Sequence, residues 1–228
     1  MINKAFDVKF VCLIIISLFF SSQNVLSQSQ EWMSEYEINM LKHSKITYNK
    51  PDNFREVIDG NDCFENNPLL KKILICGGNK LQSNDSSFVV FSTIGTVYTR
   101  KPQNDQIIQV LPQKEKTPYT PNTHYIAYIK NDISQSLGKD AELNWQDHVR
   151  YYSKEETFKK FNADTVISYS INLKSQDYYQ GKYNNLWVLM IQKKDKEFIR
   201  MYCFYENISK KKLAKYKTNV ESMFKYEN

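Results

Sequence analysis

The sequence predicts an α+β fold: an antiparallel β-sheet flanked by helices, with a C-terminal β-hairpin plus helix. Three stretches carry that prediction. Ile167, Tyr169, Ile171 and Leu173 alternate with Ser168, Ser170 and Asn172, the period of a half-buried strand. Leu186 to Ile191 and Phe198 to Tyr205 are apolar runs separated by the polar turn Lys193 to Lys196, which reads as an antiparallel hairpin. Ser209 then precedes Leu213, Tyr216, Val220 and Phe224, a one-sided helical stripe suited to packing back on that hairpin.

The elements follow in chain order. Lys4 and Lys9 precede an apolar run from Phe10 to Phe20, and small polar residues continue to Ser27. This is the charged, apolar and small-residue order of a secretory signal peptide, so residues 1–27 are expected to leave and the mature chain to begin near Gln28. The apolar run is about eleven residues, short of the roughly twenty that span a bilayer, so no transmembrane anchor is expected in the mature chain. Residues 28–228 are expected to form one α+β domain, of a size that buries a sizeable core unaided. Residues 28–45 fit neither period. Lys45 to Tyr48 reads as a short strand halted by Pro51. Asn67-Pro68 and Cys76-Gly77-Gly78 bracket a helix over 68–75, although Ile73 to Ile75 also suits a buried strand. Phe88 to Phe91 reads as a strand. After a loop punctuated by Pro102, Pro112, Pro118 and Pro121, Tyr125 or Ile126, Ile129, Ile133 and Leu137 recur at helical spacing until Gly138. Ser153 with Glu156 forms a capping box, and Phe158 and Phe161 give its helix an apolar face ending near Asn162.

The segment Lys45-Ile46-Thr47-Tyr48-Asn49-Lys50-Pro51-Asp52-Asn53-Phe54, together with the closing hairpin and helix from Leu186 to Phe224, resembles Mog1/PsbP-like secreted proteins. Phe161-Asn162-Ala163-Asp164 before a strand is similar to a motif of exported proteins of the Bacteroidota. The resemblance implies an antiparallel sheet flanked by helices and, for exported members, a binding or accessory role. It brings no catalytic motif with it.

Composition is that of an ordinary globular protein, 41% hydrophobic and 25% charged. The net charge of +6 falls by one unit when Lys4, Lys9 and Asp7 leave with the leader. Lysines are scattered instead of clustered with arginine and glycine, which argues against nucleic-acid binding. Cys12 leaves too, so Cys63, Cys76 and Cys203 remain in an oxidising compartment. Cys203 lies in an apolar strand pattern, so the possible disulfide is Cys63 with Cys76, the alternative being three reduced thiols.

Chemistry is sparse. His43, His124 and His148 have no one-turn pairing, so no metal site and no cofactor are expected. Asp147-His148 are adjacent and point apart, which builds no charge relay. Ser134-Gln135-Ser136-Leu137-Gly138 lacks the leading glycine of a nucleophile elbow. Two candidate binding features remain. Tyr178, Tyr179 and Tyr183 flank Gly181 and Lys182 in a polar loop, where their rings suit a glycan or a protein partner. Lys210, Lys211 and Lys212 crowd the first turn of the last helix, where the dipole disfavours cations and an acidic partner would be welcome. The expectation is a secreted or periplasmic non-catalytic binding or accessory module whose partner is an envelope protein or glycan. The competing reading is a secreted hydrolase with a site assembled across the fold.

Overall fold

The computed structural model describes residues 35–57, 79–95, 122–173 and 182–228. The leader, the 68–75 helix, Cys63, Cys76, Tyr178 and Tyr179 lie outside them. The described elements are α1 (Glu35–Ser44), β1 (Ile46–Tyr48), β2 (Phe54–Glu56), β3 (Asn79–Ser83), β4 (Phe88–Gly95), α2 (His124–Leu137) and α3 (Lys139–Leu143). A 3-10 turn (Trp145–His148) leads to β5 (Arg150–Tyr151), α4 (Lys154–Glu156) and a π-turn (Thr157–Phe161). The chain closes with β6 (Thr165–Asn172), β7 (Asn185–Gln192), β8 (Phe198–Tyr205), α5 (Lys210–Glu221) and β9 (Phe224–Tyr226).

Seven strands form one antiparallel sheet in the order β2-β3-β4-β8-β7-β6-β5, and β1 pairs with β9 in a separate two-stranded ribbon. This is the expected α+β architecture, with the hairpin β7–β8 at the sheet's centre and α5 behind it. Strand alternation divides the core in two. Val89, Ile167, Val188, Met190, Tyr202 and Phe204 point to the face covered by α2, where Ile129 and Ile133 meet them. Val90, Trp187, Leu189, Ile191, Met201 and Cys203 point to the other face, covered by Tyr216 and Val220 of α5, Leu41 of α1 and the ribbon. Because both faces are covered, β7 is apolar from Leu186 to Ile191 and β8 is apolar except at Arg200. Gly95 pairs with Phe198 across β4 and β8, and a Cβ there would run into the phenyl ring. Glycine marks the close approach of that ring.

Two local expectations are corrected. Phe224 does not extend the α5 stripe, because the helix ends at Glu221 and Phe224 opens β9. Residues two apart point to opposite sides of a helix and to one side of a strand, so only the strand buries both Phe224 and Tyr226. Phe158 does not share a buried face with Phe161. The capping box forms as expected, with Glu156 N donating to Ser153 Oγ at 3.1 Å. The turn that follows is a π-turn, whose wider winding separates the rings: Phe161 is buried and Phe158 is 66% exposed.

Candidate interaction surface

The sequence-selected residues have different fates. Tyr183 is buried at 1% exposure in the core beneath α2, which corrects its expected place on an exposed loop. Its hydroxyl donates to Ser86 O at 2.6 Å and accepts from Gln82 Nε2 at 3.1 Å. The ring therefore ties the approach to β7 to the β3–β4 turn. Leu173 N donates to Asn184 O at 3.0 Å, which draws the residue inward beside β6.

The lysine triplet divides. Ser209 caps α5 by accepting from Lys212 N at 3.3 Å. Lys212 Nζ reaches Asp85 Oδ2 at 2.5 Å, and Tyr216 Oη donates to the same oxygen at 2.8 Å. Asp85 Oδ1 accepts from Ser83 Oγ, Ser87 Oγ and Ser87 N. Burial opposes ionisation at Asp85, but the Lys212 ammonium and the two serines outweigh it and hold the carboxyl well below the usual carboxylate range. Lys212 is thus a structural clasp. Lys210 and Lys211 stay exposed, and Lys215, one turn on, joins them. None of the three has an acidic side chain within ion-pair distance among the described residues. Lys217 lies instead with its Nζ 4.6 Å from the Trp187 ring centroid. Lys215, Asn219 and Ser222 of this segment face Lys50 to Asn53 across an open groove of about 420 Å³. The groove is held by Asn219 Nδ2 donating to Asn53 Oδ1 at 2.8 Å and by Lys50 paired with Glu56 at 2.8 Å.

Buried chemistry lies on the opposite face. Asp132 of α2 is fully enclosed, and its Oδ2 accepts from Tyr169 Oη and, at 2.9 Å, from Tyr202 Oη. Arg200 is 1% exposed, its guanidinium 4.4 Å from the Tyr128 ring centroid and 5.0 Å from that of Tyr202. Burial is the largest influence on Asp132 and pushes its carboxyl up to about 6, against the pull of Arg200 and the two tyrosines. No local pattern in the sequence brings these four residues together. What it shows is one charge, Arg200, in the apolar run 198–205, and one carboxylate, Asp132, beside Ile129 and Ile133 in the stripe of α2. Sealed from solvent, the cluster fastens α2 to β6 and β8 and offers no open site.

His43 lies at the end of α1, 3.8 Å from Glu197, His124 opens α2 against Tyr128 and Phe198, and His148 closes the 3-10 turn. The three histidines thus sit on three separate elements. Among the described residues no three of His, Cys, Asp and Glu converge as metal ligands. Cys203 is buried and free, as its strand pattern suggested. No described helix is long and apolar enough to cross a membrane. No family model, curated protein or solved structure matches the chain.

Proposed function

We propose that the protein is an exported, non-catalytic binding or accessory module that takes an anionic envelope partner on the basic face of α5. One observation carries the reading: Lys210, Lys211 and Lys215 stand exposed on one helix, beside an open groove, while Lys212 and Lys217 are used internally. Unpaired like charges on a helix repel one another, and a bound anionic partner relieves that cost. Export is supported by the order of charged, apolar and small residues over 1–27. The likeness of 45–54 and 186–224 to Mog1/PsbP-like proteins points towards the same accessory role.

The test uses the mature chain from Gln28, immobilised and exposed to an envelope extract and to a glycan array. Capture should be lost at high salt and in the triple variant Lys210→Glu, Lys211→Glu, Lys215→Glu, whose melting temperature should stay near that of the wild type. Capture that survives the triple charge reversal would overturn the reading. Mass spectrometry of the exported form should place its N-terminus within a few residues of Gln28. Alanine at His43, His124 or His148 should leave capture intact, whereas a histidine-dependent hydrolase would lose roughly two to four orders of magnitude in rate with one of them.

A further inference from the structure

The segment from Ser153 to Asn162 is built to hold one phenyl ring outward. The capping box starts the turn, the π-turn winds it wide, and Asn162 stops it in the left-handed region at φ 49°. Phe161 enters the core, where the Tyr152 ring meets it edge-on at 5.9 Å, and Phe158 is left 66% exposed. The turn is fixed at both sides. Lys160 pairs with Glu221 of α5 at 2.7 Å, and Asn162 Nδ2 donates to Tyr226 O and Asn228 Oδ1, both at 3.0 Å. A large apolar side chain on a rigid support is the makings of a binding anchor.

A shallow groove of about 490 Å³ runs beside the ring, bounded by Thr47, Lys159, Asn162, Lys225 and Glu227. Its neutral polar side chains are partly engaged within the protein. Asn162 makes the two bonds above, and Thr47 Oγ1 donates to Lys225 O at 3.0 Å. The groove presents the Phe158 ring and the exposed ammonium groups of Lys159 and Lys225, with the carboxylate of Glu227 and the side chain of Asn228 beside them. Lys225 Nζ also lies 3.3 Å from Lys159 O, which keeps it at the groove's rim. An apolar side chain flanked by carboxylates matches the ring and the two ammonium groups beside it.

We propose that Phe158 anchors a docking groove for an acidic polypeptide segment, an apolar side chain of the partner packing on the ring and flanking carboxylates meeting Lys159 and Lys225. The inference rests on the reading of the protein as a binding module and names the partner as a polypeptide. The Lys160–Glu221 pair fastens the anchor to the last turn of α5.

The probe is a fluorescein-labelled nonapeptide of aspartate and glutamate with one central phenylalanine, titrated against the mature protein by fluorescence anisotropy. Its control carries serine at the centre, and a heparin oligosaccharide serves as the glycan arm. Phe158→Ala, or the serine control peptide, should weaken binding about tenfold or more, and Phe158→Leu should retain most of it. Thermal melting should be unchanged in both variants, because the ring is exposed. Equal affinity for wild type and Phe158→Ala would overturn the proposal, as would no binding of the phenylalanine peptide. It would also fall if heparin bound in a Phe158-dependent way in the peptide's place, or if the wild type dimerised in sedimentation and Phe158→Ala did not. If charge reversal on α5 abolished envelope capture while Phe158→Ala had no effect on either assay, the anchor would be wrong and the module reading would stand.

Discussion

Tyr216 of α5 donates its hydroxyl to Asp85 Oδ2 at 2.8 Å, and so ties the last helix to the turn between β3 and β4. The same carboxylate takes Lys212 at 2.5 Å and closes its own turn through Ser83 and Ser87. One short side chain thus joins two segments that lie 131 positions apart in sequence.

Replacing Asp85 with Ala should remove this clasp. The Tyr216 and Ser87 bonds are each worth about 0.5–1.5 kcal/mol, and solvent screening of the half-exposed Lys212 pair trims its share. The melting temperature should drop by several degrees, and hydrogen exchange should rise in the first two turns of α5. Because the folded carboxyl lies below its ordinary range, its contribution is present above the ordinary carboxylate value and is lost only as pH falls through the lower folded value. Unchanged exchange in α5 would contradict the assignment.

Asp132 should act in the opposite sense. Its folded value of about 6 lies above the ordinary 3.8, so between those values the folded protein holds a proton that the unfolded chain has released. Its contribution is therefore full below the ordinary value and is lost as pH rises through about 6. The difference corresponds to about 3 kcal/mol. Urea midpoints measured between mildly acidic and neutral pH should rise on acidification, and Asp132→Asn should flatten that slope. A wild type that weakens over this window by the same amount as Asp132→Asn would refute the assignment.

Trp187 and Leu189 face the α5 side from β7, the strand between β8 and β6, and both are buried. Alanine at Leu189 should cost about 2–5 kcal/mol and at Trp187 about 3–5 kcal/mol, read from chemical denaturation. Trp187→Ala also removes the ring under Lys217. A loss below 1 kcal/mol at either site would mean that the strand is not central.

Tyr183→Phe isolates the hydroxyl. The substitution keeps the buried ring and deletes the bond to Ser86 O, leaving that carbonyl and Gln82 to find other partners. About 0.5–1.5 kcal/mol of stability should go, whereas partner capture through α5 should stay the same. Lost capture at unchanged stability would return Tyr183 to the binding surface.

Periodicity within one strand or one helical turn was enough to locate β6, the β7–β8 hairpin, α2 and the capping box at Ser153. Those patterns depend only on neighbours a few residues away, because a side chain's direction repeats every two residues in a strand and every 3.6 in a helix. The same locality explains why Arg200 and Asp132 were passed over: each is one charge in an apolar pattern, and nothing nearby in sequence shows that they share a pocket with Tyr169 and Tyr202.

The lysine cluster at 210–212 and its place on a helix start were written in the sequence; that Asp85 claims Lys212 and leaves Lys210, Lys211 and Lys215 outward was decided by the approach of a distant turn. Tyr183, Phe158 and Phe224 make the same point. Their identities say that they prefer burial, and only the packing of α2, the π-turn and the pairing of β9 with β1 determines which of them obtains it. The sequence by itself determined the local elements and the residues that demand cover. The tertiary structure decided which demands are met, because burial depends on faces brought together from positions distant in sequence, from 37 residues apart for Asp132 and Tyr169 to 131 for Asp85 and Tyr216.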